Sequence, residues 1–249
     1  LPGEITGTVT YGEDGEELGG TVAFDGTHWL AGAPQSGRVL LGGEEIYRDH
    51  AGRGQFLWFD ENAPFLGVPG LGIVDLSTGD LAFARVDGTV FAGGDGLWVY
   101  ATASEVHTSR GDSYALPGVR RLAVEGSRIL ALACGEDCGA WELEGAPRWL
   151  GEAGGSGALA FWGGEAWWSD PQEEDGGQGV VYSEGGDILE GLEGDHLGRS
   201  LGGGYASGAM NWRTAPRRIR LLSLEGEATL AIVHSAGARP ALLAGDTHT

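Results

Sequence analysis

Along this chain short apolar runs alternate with turns built from Gly, Asp and Pro, and one three-strand rhythm keeps returning. The first copy, TVAFDGTHWLAGAPQSGRVLLGG from Thr21, reads as an apolar strand, a tight turn, a second strand closed by a breaker, a Gly-bearing loop and a third strand. The template recurs from Gln55 (QFLWFDENAPFLGVPGLGIVDLS), Asp80 (DLAFARVDGTVFAGGDGLWVYAT), Arg121 (RLAVEGSRILALACGEDCGAWEL), Gly157 (GALAFWGGEAWWSDPQEEDGGQGVVYS) and Ser200 (SLGGGYASGAMNWRTAPRRIRLLSL). Short apolar runs bounded by such turn residues predict strands rather than helices. The breakers align at Pro34, Pro69, Gly94, Cys134, Pro171 and Pro216, at spacings of 35, 25, 40, 37 and 45. Read as a circle, the chain yields a seventh copy. Its C-terminal ALLAGDTHT matches VAFDGTHWL, and its N-terminal LPGEITGTVTYG matches APQSGRVLLGG, with Pro2 at the breaker.

Repeated small sheets closed on themselves describe a β-propeller. The prediction is an all-β, seven-bladed β-propeller formed by residues 1–249 as one domain. Its blades fall at 21–54, 55–79, 80–118, 119–156, 157–198, 199–238, and 239–249 plus 1–20. Pairing of N- and C-terminal strands within the last blade would remove the two edges that an open ring leaves exposed. First strands rich in small residues (Ala23, Ala82, Ala84, Ala123, Ala158, Ala160, Gly202, Gly203) suit crowding around an axis. Asp25-Gly26, Asp87-Gly88, Glu125-Gly126 and Gly163-Gly164 read as first hairpins, since these dipeptides accept the positive φ that matches strand twist. Most Trp residues fall inside strands as filler between blades. Trp149 is placed in a connection and is the one expected to be exposed.

Composition narrows the function classes. Gly accounts for 48 of 249 residues, so long helices are disfavoured. The formal charge is −21, and every one of the 15 basic residues is Arg. A nucleic-acid partner is excluded by that charge, which repels a polyanion. No apolar run is long enough for a spanning helix, so membrane insertion is not expected. The chain opens on Leu1 without an apolar leader, which reads as an exported protein whose leader has been removed, or as a trimmed chain. Arg in place of Lys suggests a GC-rich bacterial genome.

The string ELGGTVAFDGTHWLAGAP (Glu17 to Pro34) resembles the FG-GAP repeat of the integrin α-subunit propeller and its bacterial relatives. GDHLGRSLGGGYASGAMNWRTAP (Gly194 to Pro216) is similar, with Leu197-Gly198 before the first strand and Thr214-Ala215-Pro216 after the second. Leu66-Gly67-Val68-Pro69 is a weaker third copy. The resemblance implies an adhesion or ligand-binding scaffold. That family often carries calcium in an Asp-x-Asp-x-Asp-Gly loop of the first hairpin. Asp60-Glu61-Asn62-Ala63 lacks that spacing and offers too few oxygens, so no cofactor is assigned and calcium at that position is unsupported.

Cys134 and Cys138 flank a three-residue hairpin loop. No neighbouring His or Cys completes a metal set, so a structural disulfide and an oxidising compartment are expected. In a propeller, second hairpins and inter-blade connections share one face. Asp95, Glu136, Asp137, Glu173, Glu174 and Asp175 are therefore expected to ring that face, with Trp149 and a basic spot at Arg217 and Arg218 that could take a carboxylate. His50, His107 and His196 lie in connections near acids but come from different units. No nucleophile elbow, His-Glu-x-x-His or phosphate loop is present. The expected function is a non-enzymatic exported binding or adhesion module, monomeric, with a protein or carbohydrate ligand on that face. The alternative is a carbohydrate-active hydrolase or lyase with a carboxylate or His site at the axis.

Overall fold

The structure is a computed structural model. It describes residues 18, 21–25, 27–48, 56–85, 87–172, 178–190, 197–198, 200–202, 205–209, 219–223, 230–233 and 241–244. All regular elements among them are strands, and five antiparallel sheets have four strands each. The first sheet comprises β1 (Thr21–Phe24), β2 (Trp29–Ala33), β3 (Arg38–Leu41) and β4 (Glu44–Arg48). The second comprises β5 (Phe56–Asp60), β6 (Ala63–Val68), β7 (Gly72–Asp75) and β8 (Leu81–Ala84). The third has β9 (Val90–Gly94), β10 (Leu97–Ala101), β11 (Glu105–Thr108) and β12 (Ser113–Ala115). The fourth has β13 (Val119–Glu125), β14 (Arg128–Cys134), β15 (Cys138–Glu144) and β16 (Ala146–Glu152). The fifth has β17 (Leu159–Trp162), β18 (Glu165–Asp170), β19 (Val180–Ser183) and β20 (Ile188–Glu190). A three-stranded sheet, β21 (Ser200–Gly202), β22 (Tyr205–Ala209) and β23 (Ile219–Ser223), and the pair β24 (Leu230–Val233) and β25 (Ala241–Ala244) follow.

Each four-stranded sheet is a simple meander, and its first strand neighbours the first strand of the next. β1 lies beside β5, β5 beside β9, β9 beside β13, β13 beside β17 and β17 beside β21, while β25 neighbours both β21 and β1. This radial packing is that of a β-propeller. The apolar side chains accordingly form a separate core at each junction of two sheets. Leu30, Val39, Leu66 and Val74 fill the first, and Trp58, Phe65, Ile73, Phe91 and Tyr100 the second. Val99, Val106, Ile129 and Ala131 fill the third, and Leu132, Ala140, Ala153 and Trp168 the fourth. Trp167, Val181, Leu197 and Leu201 fill the fifth. Leu18, Ala31, Ala33 and Leu40 bury the far side of the first sheet.

Leu18 and Leu197, the Leu of the two Leu-Gly sequences, are both fully buried, each three positions before the first strand of its sheet. β2 ends at Ala33, immediately before Pro34. The turn chemistry is partly as expected. Gly163 and Gly164, at φ of 61° and 76°, form the two-residue hairpin between β17 and β18, the backbone twist that Gly adopts without a Cβ penalty. Glu61-Asn62 makes the corresponding turn between β5 and β6. In the fourth sheet Glu125 pairs with Arg128, so the loop is Gly126-Ser127 rather than Glu125-Gly126.

Asp87-Gly88 is not a hairpin. The strand before it, β8, pairs with β7 and closes the second sheet instead of opening the third at residue 80, so Asp87-Gly88 lies in the connection to β9. A turn dipeptide after an apolar run looks the same from the sequence whether the next strand pairs with that run or starts a new sheet. β24 and β25, on either side of position 238, pair with each other. Residues 1–17, the expected partner segment in the last blade, lie outside the described residues.

Candidate functional site

In a four-strand meander the first and third hairpins sit at one end, and the second hairpin and the connection to the next sheet at the other. With β9 as the first strand of its sheet, Asp95 falls in the first hairpin, β9–β10. Glu136 and Asp137 stay in the second hairpin of their sheet, β14–β15. Asp95 is thus at the opposite end from Glu136 and Asp137, which corrects the expectation of a shared face; the cause is the one-strand shift at residues 81–84. Glu173, Glu174, Asp175, Arg217, Arg218, His50 and His196 lie outside the described residues.

Asp95 has a structural task. Its Oδ2 accepts a hydrogen bond from Gly126 N of the next first hairpin at 2.7 Å. Asp60 does the same one sheet earlier, accepting from Gly96 N at 2.8 Å and from Trp98 Nε1 at 3.1 Å. An Asp at the first hairpin, at the strand end for Asp60 and within the turn for Asp95, therefore staples each of these hairpins to its successor. At the other end, Cys134 and Cys138 face one another in register and are disulfide-bonded. Both sulfurs pack against the backbone of Gly155 in the connection to the fifth sheet.

Trp149 lies on a strand, β16, not in a connection, and is 44% exposed. Its indole meets Trp141 edge-on, with ring centroids 5.0 Å apart, and covers Gly139, where any Cβ would run into the ring. Trp141 packs toward the third sheet, whereas Leu150, next along β16, packs toward the fifth.

On that fifth-sheet side a groove of about 320 Å³ opens between β16 and the outer strands of the fifth sheet. Its apolar wall is Trp149, Leu150, Trp168, Tyr182 and Ile188, and its polar rim Arg148, Ser183, Glu184 and Asp187, so Trp149 is the sequence-predicted site residue that the structure brings to this groove. Trp168 and Tyr182 stack with centroids 6.0 Å apart, and Trp168 Nε1 donates to the Glu152 carbonyl at 3.0 Å, which fixes the ring. Ile188, 59% exposed, stands at the mouth of the groove.

One wall of the groove is set by a closed ring of alternating charges. Arg128 Nε donates to Glu142 Oε1 and its Nη2 to Glu184 Oε2, each at 2.6 Å. Arg148 Nη2 donates to Glu184 Oε1 at 2.6 Å and also to Glu142 Oε2. Arg128 further donates to the Gly164 carbonyl and lies over the Phe161 ring, so the cluster ties the fourth sheet to the fifth. Burial pushes the Glu142 carboxyl up, but hydrogen bonds from Arg148 and Arg128 outweigh it and hold the group below the usual carboxylate range. Glu184 is lowered by the same two guanidinium groups. Asp25, raised by burial but lowered more by the backbone N–H groups of His28 and Thr27 and by the His28 ring, also ends below its ordinary value. These shifts stabilise ionised carboxylates, the reverse of what a general acid requires. No group of three or more His, Cys, Asp and Glu is placed to hold a metal among the described residues. No signal in the sequence pointed to Glu142, Glu184 and Arg148, because the ring assembles four separate strands and loops.

No family model matches the chain, and no curated protein does. Solved structures do resemble it. The computationally designed Ika8 protein superposes with a TM-score of 0.55 at 16% identity, covering 92% of this chain and 82% of that one. BamB from Moraxella catarrhalis gives 0.43 at 13% identity, over 87% and 84% of the two chains. The extracellular domain of the putative one component system BT4673 from B. thetaiotaomicron gives 0.49 at 9% identity, over 84% of this chain and 34% of that one. At 16% identity the likeness to Ika8 is one of fold.

Proposed function

We propose that this chain is an exported, non-enzymatic binding module on a seven-bladed propeller, with the groove between its fourth and fifth sheets as the ligand site. The groove carries the reading: a fixed aromatic pair and an exposed Ile188 beside a charged rim form a mixed apolar and polar trough. Its volume is at the small end of ligand pockets, roughly 300–1,000 Å³. The half-buried Tyr182 ring, backed by the core Trp168 and bordered by hydrogen-bonding groups, suits a carbohydrate chain, and a peptide segment is the second ligand class. Export is supported by the Cys134–Cys138 disulfide, a bond that persists in oxidising compartments. Seven blades are supported by β25 lying beside both β21 and β1, and by the buried far side of the first sheet. The FG-GAP relation rests on the sequences Glu17 to Pro34 and Gly194 to Pro216, with Leu66 to Pro69 as a weaker third copy. The lowered carboxylates give the hydrolase reading no observation in its favour.

Calorimetric titration with neutral oligosaccharides and short peptides tests the site. Binding should weaken about tenfold or more in Tyr182→Ala, the loss of one well-placed aromatic contact, and remain unchanged in Leu81→Ala. Binding that is indifferent to Tyr182 would sink the groove assignment.

A further inference from the structure

Five of the described arginines are already engaged, and Arg110, exposed on the β11–β12 turn, has no ion pair among the described residues but lies away from the innermost strands. Arg38 and Arg48 pair with Glu45, Arg128 and Arg148 with Glu142 and Glu184, and Arg85 lies over Phe83 and Tyr100. Arg120 and Arg121 are different. Both are exposed, and neither has an ion pair or hydrogen-bond partner among the described residues, in a chain where 36 acidic residues face 15 basic ones. Both sit near the start of β13, the first strand of its sheet, which neighbours β9 and β17 in the row of innermost strands.

The backbone is irregular at this point. Val119 pairs with Ala133 and Arg121 with Leu132, so Arg120 is the extra residue of a β-bulge. A bulge breaks the alternation that sends neighbouring side chains to opposite faces, and such bulges commonly re-aim side chains at functional sites. Enclosure by surrounding protein lowers the Arg121 guanidinium from its ordinary range, and no carboxylate among the described residues offsets it. Arg121 is thus partly enclosed by protein and has no carboxylate partner among the described residues.

We propose that Arg120 and Arg121 form a carboxylate seat at the axial mouth on the end of the propeller that carries the disulfide hairpin. That end is fixed by Cys134 N donating to the Gly118 carbonyl at 3.0 Å, immediately before the bulged strand. A guanidinium fork matches a carboxylate through two parallel hydrogen bonds. Glu136 and Asp137 occupy the second hairpin at the same end and keep the surrounding field negative. Long-range attraction is therefore weak, and direct contact must supply the affinity. The fitting ligand carries one carboxylate on an otherwise neutral body, not a polyanion.

The seat is separate from the groove, and the test keeps the two apart. Thermal melts are run with glucuronate and with glucose, identical but for the carboxylate, at constant ionic strength. Glucuronate should raise Tm saturably and glucose should not, since a ligand that binds only the folded state stabilises it by mass action. Arg121→Gln and Arg120→Gln should each weaken the apparent affinity by about tenfold or more, the loss of a charged hydrogen-bond donor. Arg121→Lys, which keeps the charge but loses the fork, should fall between, and Arg110→Gln on the β11–β12 turn should behave as the parent. Equal shifts with both sugars, no saturable shift in the parent protein, or affinity unchanged in Arg121→Lys would overturn the proposal.

Discussion

Ser169 shows how much one side chain holds at a junction of sheets. It is fully buried, its Oγ accepts from Ala158 N at 2.9 Å and donates to the Gly198 carbonyl at 2.6 Å. The hydroxyl thus joins the middle of the fifth sheet to the segment that leads into the next one. Gly198 has φ of 88° and no room for a Cβ against Ser169, so the contact is closed from both sides. Ser169→Ala leaves a buried donor and acceptor unpaired, at a cost of about 2 kcal/mol. The measurable result is a Tm several degrees lower, with the fold unchanged by far-UV circular dichroism. An unchanged Tm would mean that water replaces the hydroxyl.

Among elements, the junction of the fourth and fifth sheets concentrates the testable electrostatics. The carboxyls of Glu142 and Glu184 sit below their ordinary value in the folded chain. Their contribution is therefore complete above the ordinary glutamate pKa of about 4.5 and is lost as pH falls through the lower folded values. Urea melts of the parent should lose stability over that acid window, and Glu142→Gln should flatten the loss. Glu142 is 4% exposed, so Glu142→Ala, which leaves Arg128 and Arg148 only Glu184 as a shared partner, should cost about 2 kcal/mol at neutral pH. A Glu142→Gln profile that parallels the parent would show that the ring is not the titrating element. At the opposite end of the fourth sheet, reduction of Cys134–Cys138 should cost about 2 kcal/mol from the entropy of its five-residue loop. Melts with and without reductant, set against Cys134→Ser, measure it.

At the scale of the whole molecule the decisive quantity is closure. If the ring is completed by the N-terminal segment, deleting residues 1–17 uncovers the apolar side of the first sheet around Ala31, Ala33 and Leu40. Tm should then fall by roughly 10 °C or more, the loss of several kcal/mol in a chain of this size, with new binding of a hydrophobic dye. A truncated chain that melts like the parent would mean that β24 and β25 finish the ring without it.

Strand content, antiparallel meanders and many turns were legible in the residues themselves, because a short apolar run between Gly and Asp is a local signal. Gly163-Gly164 and the Cys134–Cys138 hairpin form where that signal puts them, and Leu18 and Leu197 prove to be equivalent buried plugs. Pairing partners are not local. Residues 81–84 can end one sheet or begin the next, and only the register with β7 decides; that single shift carries Asp95 to the other end of the propeller. The same holds for the charge ring, where Arg128 and Glu184 meet from 56 positions apart, and for the groove beside it. Gly frequency and apolar rhythm determined that this chain folds as stacked small sheets. Which carboxylates meet arginines, and which arginines have none among the described residues, followed only from how neighbouring sheets pack, since a junction between sheets unites residues that no sequence spacing relates.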